Sequence, residues 1–185
     1  DDWLLGDSGS NTLTGGDGAD TLEGRGGDDF LYGDDGADTL VANQGSDSAF
    51  GGSGDDEFHV SSTLANLPTV IDGGADTDTI EMYDMGAAYD LTDLSDVTDN
   101  IEALDISDGT DTILTVTSQD IQNMVDNGDA SELTILADSG DTLVLQSGAL
   151  YEGGTATPTT FTAGVSADYT IDDGGQTALI HWVIG

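Results

Sequence analysis

A nine-residue period runs through the first third of the chain and restricts its fold more than any other feature. From Gly6 the sequence divides into the blocks GDSGSNTLT, GGDGADTLE, GRGGDDFLY, GDDGADTLV, ANQGSDSAF and GGSGDDEFH, the last of which ends at His59. The five residues before them, DDWLL, fit the last five positions of a further block. A fixed period of this kind indicates repeated units that pack on their neighbours.

Three positions define the block. The fourth position is glycine in every complete block: Gly9, Gly18, Gly27, Gly36, Gly45 and Gly54. The sixth position carries an acid or its amide: Asp2, Asn11, Asp20, Asp29, Asp38, Asp47 and Asp56. The eighth position is apolar: Leu4, Leu13, Leu22, Leu31, Leu40, Ala49 and Phe58. One apolar residue per block fits neither a helix nor a long alternating strand, so each block is predicted to be a strand of about three residues and a turn of about six.

The glycines of the turns predict a site for a hard cation. Glycine tolerates positive φ angles and crowded backbone, and it recurs at further positions of the block. The first position has Gly6, Gly15, Gly24, Gly33 and Gly51, and the second has Gly16 and Gly52. Such turns bring main-chain carbonyls close to the position-six carboxylate, and oxygens of both kinds are ligands of Ca²⁺. All these residues are therefore candidate metal-binding residues.

A flattened spiral with two blocks per coil predicts two rows of acids. We call Asp2, Asp20, Asp38 and Asp56 the first row, and Asn11, Asp29 and Asp47 the second row. An ion between neighbouring coils is then shared by two members of one row. The expected pairs are Asp2/Asp20, Asp20/Asp38, Asp38/Asp56, Asn11/Asp29 and Asp29/Asp47, which gives five sandwiched sites.

The pattern GGxGxDxUx resembles the nonapeptide of RTX (repeats-in-toxin) calcium-binding proteins. The resemblance implies an all-β fold, a right-handed parallel β-roll over residues 1–59 with calcium in both rows of turns, and about five or more ions. It assigns calcium binding to the position-six residues and the turn glycines named above. Asn11 offers a neutral amide oxygen and is expected to form a weaker site, and Ala42 and Ala49 depart from the pattern in the fifth block.

The remaining chain is predicted to be a β-rich flank and a cap. Residues 60–150 are expected to continue the solenoid, with Val60 to Asp72 as an insertion and GGADTDTIE at 73–81 as a degenerate block with Asp78 in the ligand position. A short helix is expected near 118–126 with Ser118 as its N-cap. Residues 151–185 are expected to form an antiparallel cap with a terminal hairpin, since solenoid ends need covering.

The charge of the chain excludes several partners. There are 38 acidic residues and one basic residue, Arg25, and the formal net charge is −37. Nucleic acid and anionic membrane surfaces repel such a chain, and no apolar run approaches the roughly 18 residues of a membrane span, so a soluble chain is expected. Self-repulsion opposes folding unless a cation intervenes. Disorder is the alternative, but the regular placement of the apolar residues opposes it.

Catalysis is not expected. The stretch GDSGS imitates a serine-protease signature, but Ser8 occupies a variable position of a repeat, and only His59 and His181 are available as a base. Both histidines are expected to have structural or solvent-facing roles. The chain has no cysteine, which excludes disulfides and thiolate metal sites.

Residues 70–185 resemble the region that follows calcium repeats in large bacterial surface adhesins exported by type I secretion. The resemblance rests on VIDGGADTDTI, NIEALDISDGTDTILTVTSQDI and LTILADSGDTLVL. It implies a secreted, monomeric structural module that folds on binding calcium, with the secretion machinery and other domains of the same chain as partners. Two alternatives stay open: the accessory module of a secreted RTX enzyme such as a protease, lipase or polysaccharide-modifying enzyme, or an adhesion module for carbohydrate or another surface, with Trp182 as a residue to test.

Overall fold

A computed structural model gives the fold of residues 1–61, 68–83, 88–125, 131–145, 159–162, 167–172 and 177–185. The strands of the repeat region are β1 (Trp3–Leu5), β2 (Thr12–Asp17), β3 (Thr21–Glu23), β4 (Phe30–Asp35), β5 (Thr39–Val41), β6 (Ser48–Ser53) and β7 (Glu57–Ser61). The next elements are β8 (Val70–Ala75), β9 (Thr79–Tyr83), β10 (Ala88–Asp90), α1 (Thr92–Ser95), β11 (Thr98–Asp99), β12 (Ala103–Asp105) and β13 (Ile113–Val116). The last are α2 (Ser118–Met124), β14 (Ser131–Ala137), β15 (Thr142–Leu145), β16 (Thr159–Thr162), β17 (Ala167–Asp172) and β18 (Thr177–Ile184).

Odd-numbered and even-numbered strands of the repeat region belong to two different parallel sheets. The order β1-β3-β5-β7-β9 forms one sheet and β2-β4-β6-β8 the other. Equivalent residues of neighbouring coils are paired, for example Leu4 with Leu22 and Leu13 with Leu31. Two blocks therefore make one coil, and the predicted parallel β-roll is confirmed. The even strands are longer than expected, because the second and third positions of the next block continue the ladder, as in the pair Gly16 and Asp34.

The position-eight residues stack into the core. In the first sheet Leu22, Leu40 and Phe58 lie in register and are at most 1% exposed. The column continues beyond the repeats through Ile80, Leu104, Ile135 and Trp182. Each coil thus adds one apolar layer per sheet, which is why a single apolar residue per block is sufficient. Trp182 is only 3% exposed and belongs to this column.

The coil length changes after His59. The partner of Asp56 in the next coil is Asp78, 22 residues on, whereas the partners within the array are 18 residues apart. The stretch from Val60 to Asp72 is therefore not a pure insertion, because Ile71 takes the core position next to Ala49 in strand β8. The degenerate block is nevertheless in structural register with the array, because Ile80 pairs with Phe58.

The C-terminal region extends the same solenoid. Strands β12, β14, β18 and β17 continue the first sheet to nine strands, and β10, β13, β15 and β16 form a sheet of four. Strand β17 is antiparallel to β18, as the predicted terminal cap requires, while β18 is parallel to β14. The single sheet crosses both expected domain boundaries, and the division at residues 59 and 150 stays a prediction.

Helix α2 lies where it was predicted, but its N-cap is Thr117 and not Ser118. The hydroxyl of Thr117 accepts a hydrogen bond from Asp120 N, and the Asp120 carboxylate accepts one from Thr117 N. This capping box requires an acid three residues after the cap, which Thr117 has and Ser118 lacks. Helix α1 is a single turn that the sequence analysis did not predict. Among the described residues, no helix has the length and apolar character needed to cross a membrane.

Candidate metal centre

One carboxylate oxygen of each row acid from Asp20 onwards links two coils. Asp20 N donates to Asp38 Oδ1 at 2.7 Å, and Asp38 N donates to Asp56 Oδ1 at 2.8 Å. The second row repeats this pattern, with Asn11 N donating to Asp29 Oδ1 at 2.7 Å. These bonds follow from the coil length of 18 residues, which places each position-six side chain beside the position-six amide of the preceding coil. The two rows predicted from the sequence therefore exist as continuous ladders.

The other carboxylate oxygen of these acids has no hydrogen-bond partner among the described groups. The residues concerned are Asp20, Asp29, Asp38, Asp47, Asp56 and Asp78, whose Oδ2 atoms are all shielded from solvent. The six residues are at most 2% exposed. An unpaired carboxylate oxygen in such surroundings is costly, and buried charges in proteins are normally paired or bound to metal. The described part of the chain provides almost no cationic side chain, so the partner must come from solution.

The position-one glycines leave a space beside each of these oxygens. A Cβ atom on Gly15 would lie 2.6 Å from Asp20 Oδ2 and 2.9 Å from the carbonyl oxygen of Gly33 in the next coil. Gly33, Gly51 and Gly73 repeat this arrangement in the first row, and Gly24 does so in the second. We call each of these volumes an inter-coil space. It is bounded by a carboxylate oxygen and by a carbonyl oxygen of the neighbouring coil, which are the two main protein ligand types of Ca²⁺.

The glycines at positions two and four have a different role from those at position one. Gly36 has a φ of 139°, and a Cβ there would collide with the carbonyl of Gly18 in the preceding coil. Position two also has positive φ and holds Arg25 at 74°, Asp34 at 73° and Asn43 at 70°, while a Cβ on Gly52 at this position would collide with the carbonyl oxygen of Asp34. From Gly18 to Gly54 the fourth glycine is thus required both by its positive φ and by crowding, whereas Gly9 in the first complete block meets neither condition. Position one needs glycine only because oxygens lie close to it.

The structure places the predicted pairs as follows. Inter-coil spaces with an unpartnered carboxylate lie between the coils of Asp20/Asp38, Asp38/Asp56 and Asp29/Asp47. At Asn11/Asp29 the space is bounded by Gly24 O, but Asn11 Oδ1 already accepts a hydrogen bond from Asp7 N at 2.8 Å. At Asp2/Asp20 the amide of Asp2 donates to Asp20 Oδ1, and Asp2 itself is exposed. In the fifth block Ala42 carries a methyl group where the other complete blocks have glycine.

The first row extends two coils beyond the array. Gly51, Asp56 and the carbonyl of Gly73 bound one further space, and Gly73, Asp78 and the carbonyl of Asn100 bound another. Asp78 N donates to Glu102 Oε2 at 2.9 Å, so Glu102 takes the role of the next position-six acid. Glu102 was not among the predicted ligands, because it lies outside any nonapeptide. Its spacing to core residue Leu104 equals that of Asp78 to Ile80, and this signal would have identified it.

Burial perturbs the ionisation of the row acids. Desolvation by burial, together with repulsion from the neighbouring row carboxylates, raises the pKa of Asp56 to about 6 and the pKa of Asp78 to about 7. The pKa values of Asp38 and Asp47 are also raised by burial, with Asp20 and Asp29 as the nearest contributing charges of their rows. Hydrogen bonds from backbone amides oppose these shifts without cancelling them. A cation beside the acids would reverse the effect, since it favours the ionised form.

Asp141 is a buried carboxylate outside the two rows and serves as a comparison for the row acids. Asp141 is fully buried, and its two oxygens accept hydrogen bonds from Thr112 N at 2.9 Å and Asp138 N at 2.6 Å. Burial raises its pKa as well. Because both oxygens are paired, Asp141 links coils without an oxygen left over for an ion. The row acids differ from it in this respect.

Comparison with known families agrees with this geometry. The family model described as RTX calcium-binding nonapeptide repeat (4 copies) matches residues 1–31 and 32–62. A comparison with curated protein sequences finds no match to the chain. RTX nonapeptide repeats bind calcium, and the matched residues contain both predicted rows. Residues 1–62 of this chain are therefore RTX calcium-binding nonapeptide repeats, and the rest of the described chain continues their β-solenoid.

Proposed function

We propose that the chain is a structural module of a secreted bacterial surface protein whose solenoid is held together by calcium ions between its coils. The observation that carries this proposal is the set of six buried carboxylate oxygens without a hydrogen-bond partner among the described groups. Five of them face a position-one glycine and a carbonyl of the next coil. A fold that buries these charges without a cation would be opposed by desolvation and by mutual repulsion.

The ions are assigned to the inter-coil spaces. Each is bound by the Oδ2 atom of one row acid, by the position-one carbonyl of the following coil, and by carbonyls of the turns. The strongest sites are those at Asp20, Asp29, Asp38, Asp56 and Asp78. The Asn11 site is weaker, because its oxygen is neutral and accepts the Asp7 hydrogen bond.

Binding energy of this kind is sufficient to decide whether the chain folds. A ligand that binds only the folded state stabilises it by RT ln(1 + [L]/Kd), which is about 1.4 kcal/mol per site at tenfold saturation. Five independent sites give about 7 kcal/mol, comparable with the entire stability of a small domain. Calcium-poor cytoplasm would therefore leave the acidic chain unfolded for export, and the roughly millimolar calcium that extracellular modules bind would fold it.

The test compares the chain in excess chelator and in calcium. Far-UV circular dichroism should show the β spectrum only in calcium, and small-angle scattering in chelator should approach the roughly 46 Å radius of gyration of an unfolded chain of this length. Mg²⁺ at the same concentration is the matched control, since it demands octahedral geometry and keeps its waters. An equally β-structured chain in chelator would overturn the calcium dependence of folding.

The proposal includes no catalytic role and no carbohydrate site at Trp182. Ser8 lies in an exposed turn, and the contacts of His59 are with Glu57 and Glu81 on the first sheet. Trp182 is buried in the core column, so Trp182→Ala would report on folding and not on sugar binding. The adhesin context is supported by the resemblance of residues 70–185, and the sequence upstream of Asp1 in the gene tests it against an RTX enzyme.

A further inference from the structure

A cluster of metal-binding side chains lies away from the turns, on the outer face of the first sheet. His59 on β7 is the direct register partner of Glu81 on β9, and Glu57 precedes His59 by two residues on the same face. His59 Nε2 lies 3.1 Å from Glu81 Oε2 and 3.6 Å from Glu57 Oε1. One ligand atom from each of the three residues lies within 4.8 Å of the other two.

The imidazole nitrogen of this cluster has no hydrogen bond to account for its position. His59 Nε2 is shielded from solvent and makes no hydrogen bond of acceptable geometry among the described groups. It nevertheless points between two carboxylates. A shielded polar atom of this kind calls for a partner, and an ion between the three side chains would be one.

The spacing fits a transition metal. A tetrahedral zinc ion with bonds of about 2.1 Å to nitrogen and carboxylate oxygen separates its ligand atoms by about 3.4 Å. The two measured separations, 3.1 and 3.6 Å, lie on either side of this value. We propose that Glu57, His59 and Glu81 form a second kind of metal site, which binds a first-row divalent transition metal such as Zn²⁺.

The site is chemically distinct from the calcium rows. Imidazole is a ligand of zinc, copper, nickel and iron, whereas calcium takes oxygen ligands. Glu57, His59 and Glu81 are 48, 31 and 42% exposed, so a metal bound here keeps a position open to water. The chain therefore binds two metals of different class, one between its coils and one on its sheet surface.

The test titrates Zn²⁺ into the calcium-saturated chain by isothermal titration calorimetry. It requires that the chain be folded, but it does not depend on whether calcium is what causes folding. We expect one saturable site, and His59→Asn or Glu81→Gln should weaken it by at least about tenfold, the scale on which even outer-shell changes act. His181→Asn is the matched control, because His181 lies on the same sheet outside the cluster, with its Nε2 atom 3.8 Å from Glu132 Oε2. Its binding should match the wild type. Bound Co²⁺ should show the intense visible absorption of a four-coordinate ion.

Three results would overturn the site. They are the absence of saturable zinc binding, equal affinity in wild type and His59→Asn, and displacement of zinc by raising calcium alone. Each result would mean either that His59 only pairs with the two glutamates or that zinc binds at the calcium sites of the turns. If His59→Asn lacks the calcium-saturated β spectrum, Glu57→Gln and Glu81→Gln carry the same test, since neither changes a core residue.

Discussion

Replacing Asp56 by asparagine separates the charge of the row acid from its packing. Asp56 Oδ1 accepts a hydrogen bond from Asp38 N at 2.8 Å, and the amide oxygen of asparagine keeps that bond. The change removes the ionised Oδ2, whose burial raises the pKa of Asp56 to about 6. A shift of that size from 3.8 corresponds to at most about 3 kcal/mol of opposition to folding at pH 8 without calcium. In chelator the variant should therefore be more stable than the wild type.

Calcium should have the opposite effect on this variant. Asp56 Oδ2 faces one inter-coil space, and losing the ion in that space at tenfold saturation removes about 1.4 kcal/mol of calcium stabilisation. Urea unfolding at a series of free calcium concentrations gives a slope of unfolding free energy against RT ln[Ca²⁺] that equals the number of ions bound. Asp56→Asn should lower this slope by about one.

Asp55→Asn is the matched control for this experiment. Asp55 is exposed, and its Oδ1 accepts a hydrogen bond from Thr77 N at 3.0 Å, which asparagine also preserves. Its calcium slope should equal that of the wild type. If Asp56→Asn instead lowers stability equally in calcium and in chelator, with an unchanged slope, then Asp56 acts through packing and hydrogen bonding alone, and the reasoning fails.

Three further predictions concern the pH dependence of folding, the filling of an inter-coil space, and the end of the first row. The raised pKa values of Asp56 and Asp78 contribute stability to the calcium-free fold below about pH 4, and this is lost as pH rises through about 6 to 7. In chelator the circular dichroism signal of the β structure should thus be stronger at pH 4 than at pH 8. The calcium concentration needed for folding should rise as pH falls. Circular dichroism titrations that show neither trend would contradict this prediction. Gly33→Ala places a methyl group between Asp38 Oδ2 and the Gly51 carbonyl and should cost about one ion, whereas Gly26→Ala, with its nearest contact at 3.9 Å, should leave the calcium slope unchanged. If Glu102 is the last calcium ligand of the first row, Glu102→Gln should also lower the calcium slope by about one. An unaltered slope would show that the calcium ligands of this row end at Asp78.

The repeat region was predictable because its chemistry is periodic. A fixed spacing between Asp20 and Leu22, repeated at Asp38 and Leu40, determines both which side chain enters the core and which faces the turn. The register and the two rows follow from that spacing alone. The role of the position-one glycine was not predictable, because the oxygens that crowd it come from Asp20 in its own block and from Gly33 in the next coil.

Prediction weakened where the coil length changed. The coil that ends at Asp78 is 22 residues long, and the one that ends at Glu102 is 24, so neither keeps the nine-residue phase. Only the acid-x-aliphatic spacing survives there. Thr117 was missed as a cap because Ser118 has the same kind of side chain, and only the partner Asp120 distinguishes the two. The cluster of Glu57, His59 and Glu81 depends on the register between β7 and β9, which no local sequence pattern reveals.

The most direct measurement is a crystal structure of the chain grown in calcium, with anomalous scattering used to locate the ions. We expect anomalous peaks in the inter-coil spaces beside Asp20, Asp29, Asp38, Asp56 and Asp78, each contacted by the Oδ2 atom and by a carbonyl of the next coil. Peaks confined to exposed surface acids, with water molecules hydrogen-bonded to the five Oδ2 atoms, would contradict it.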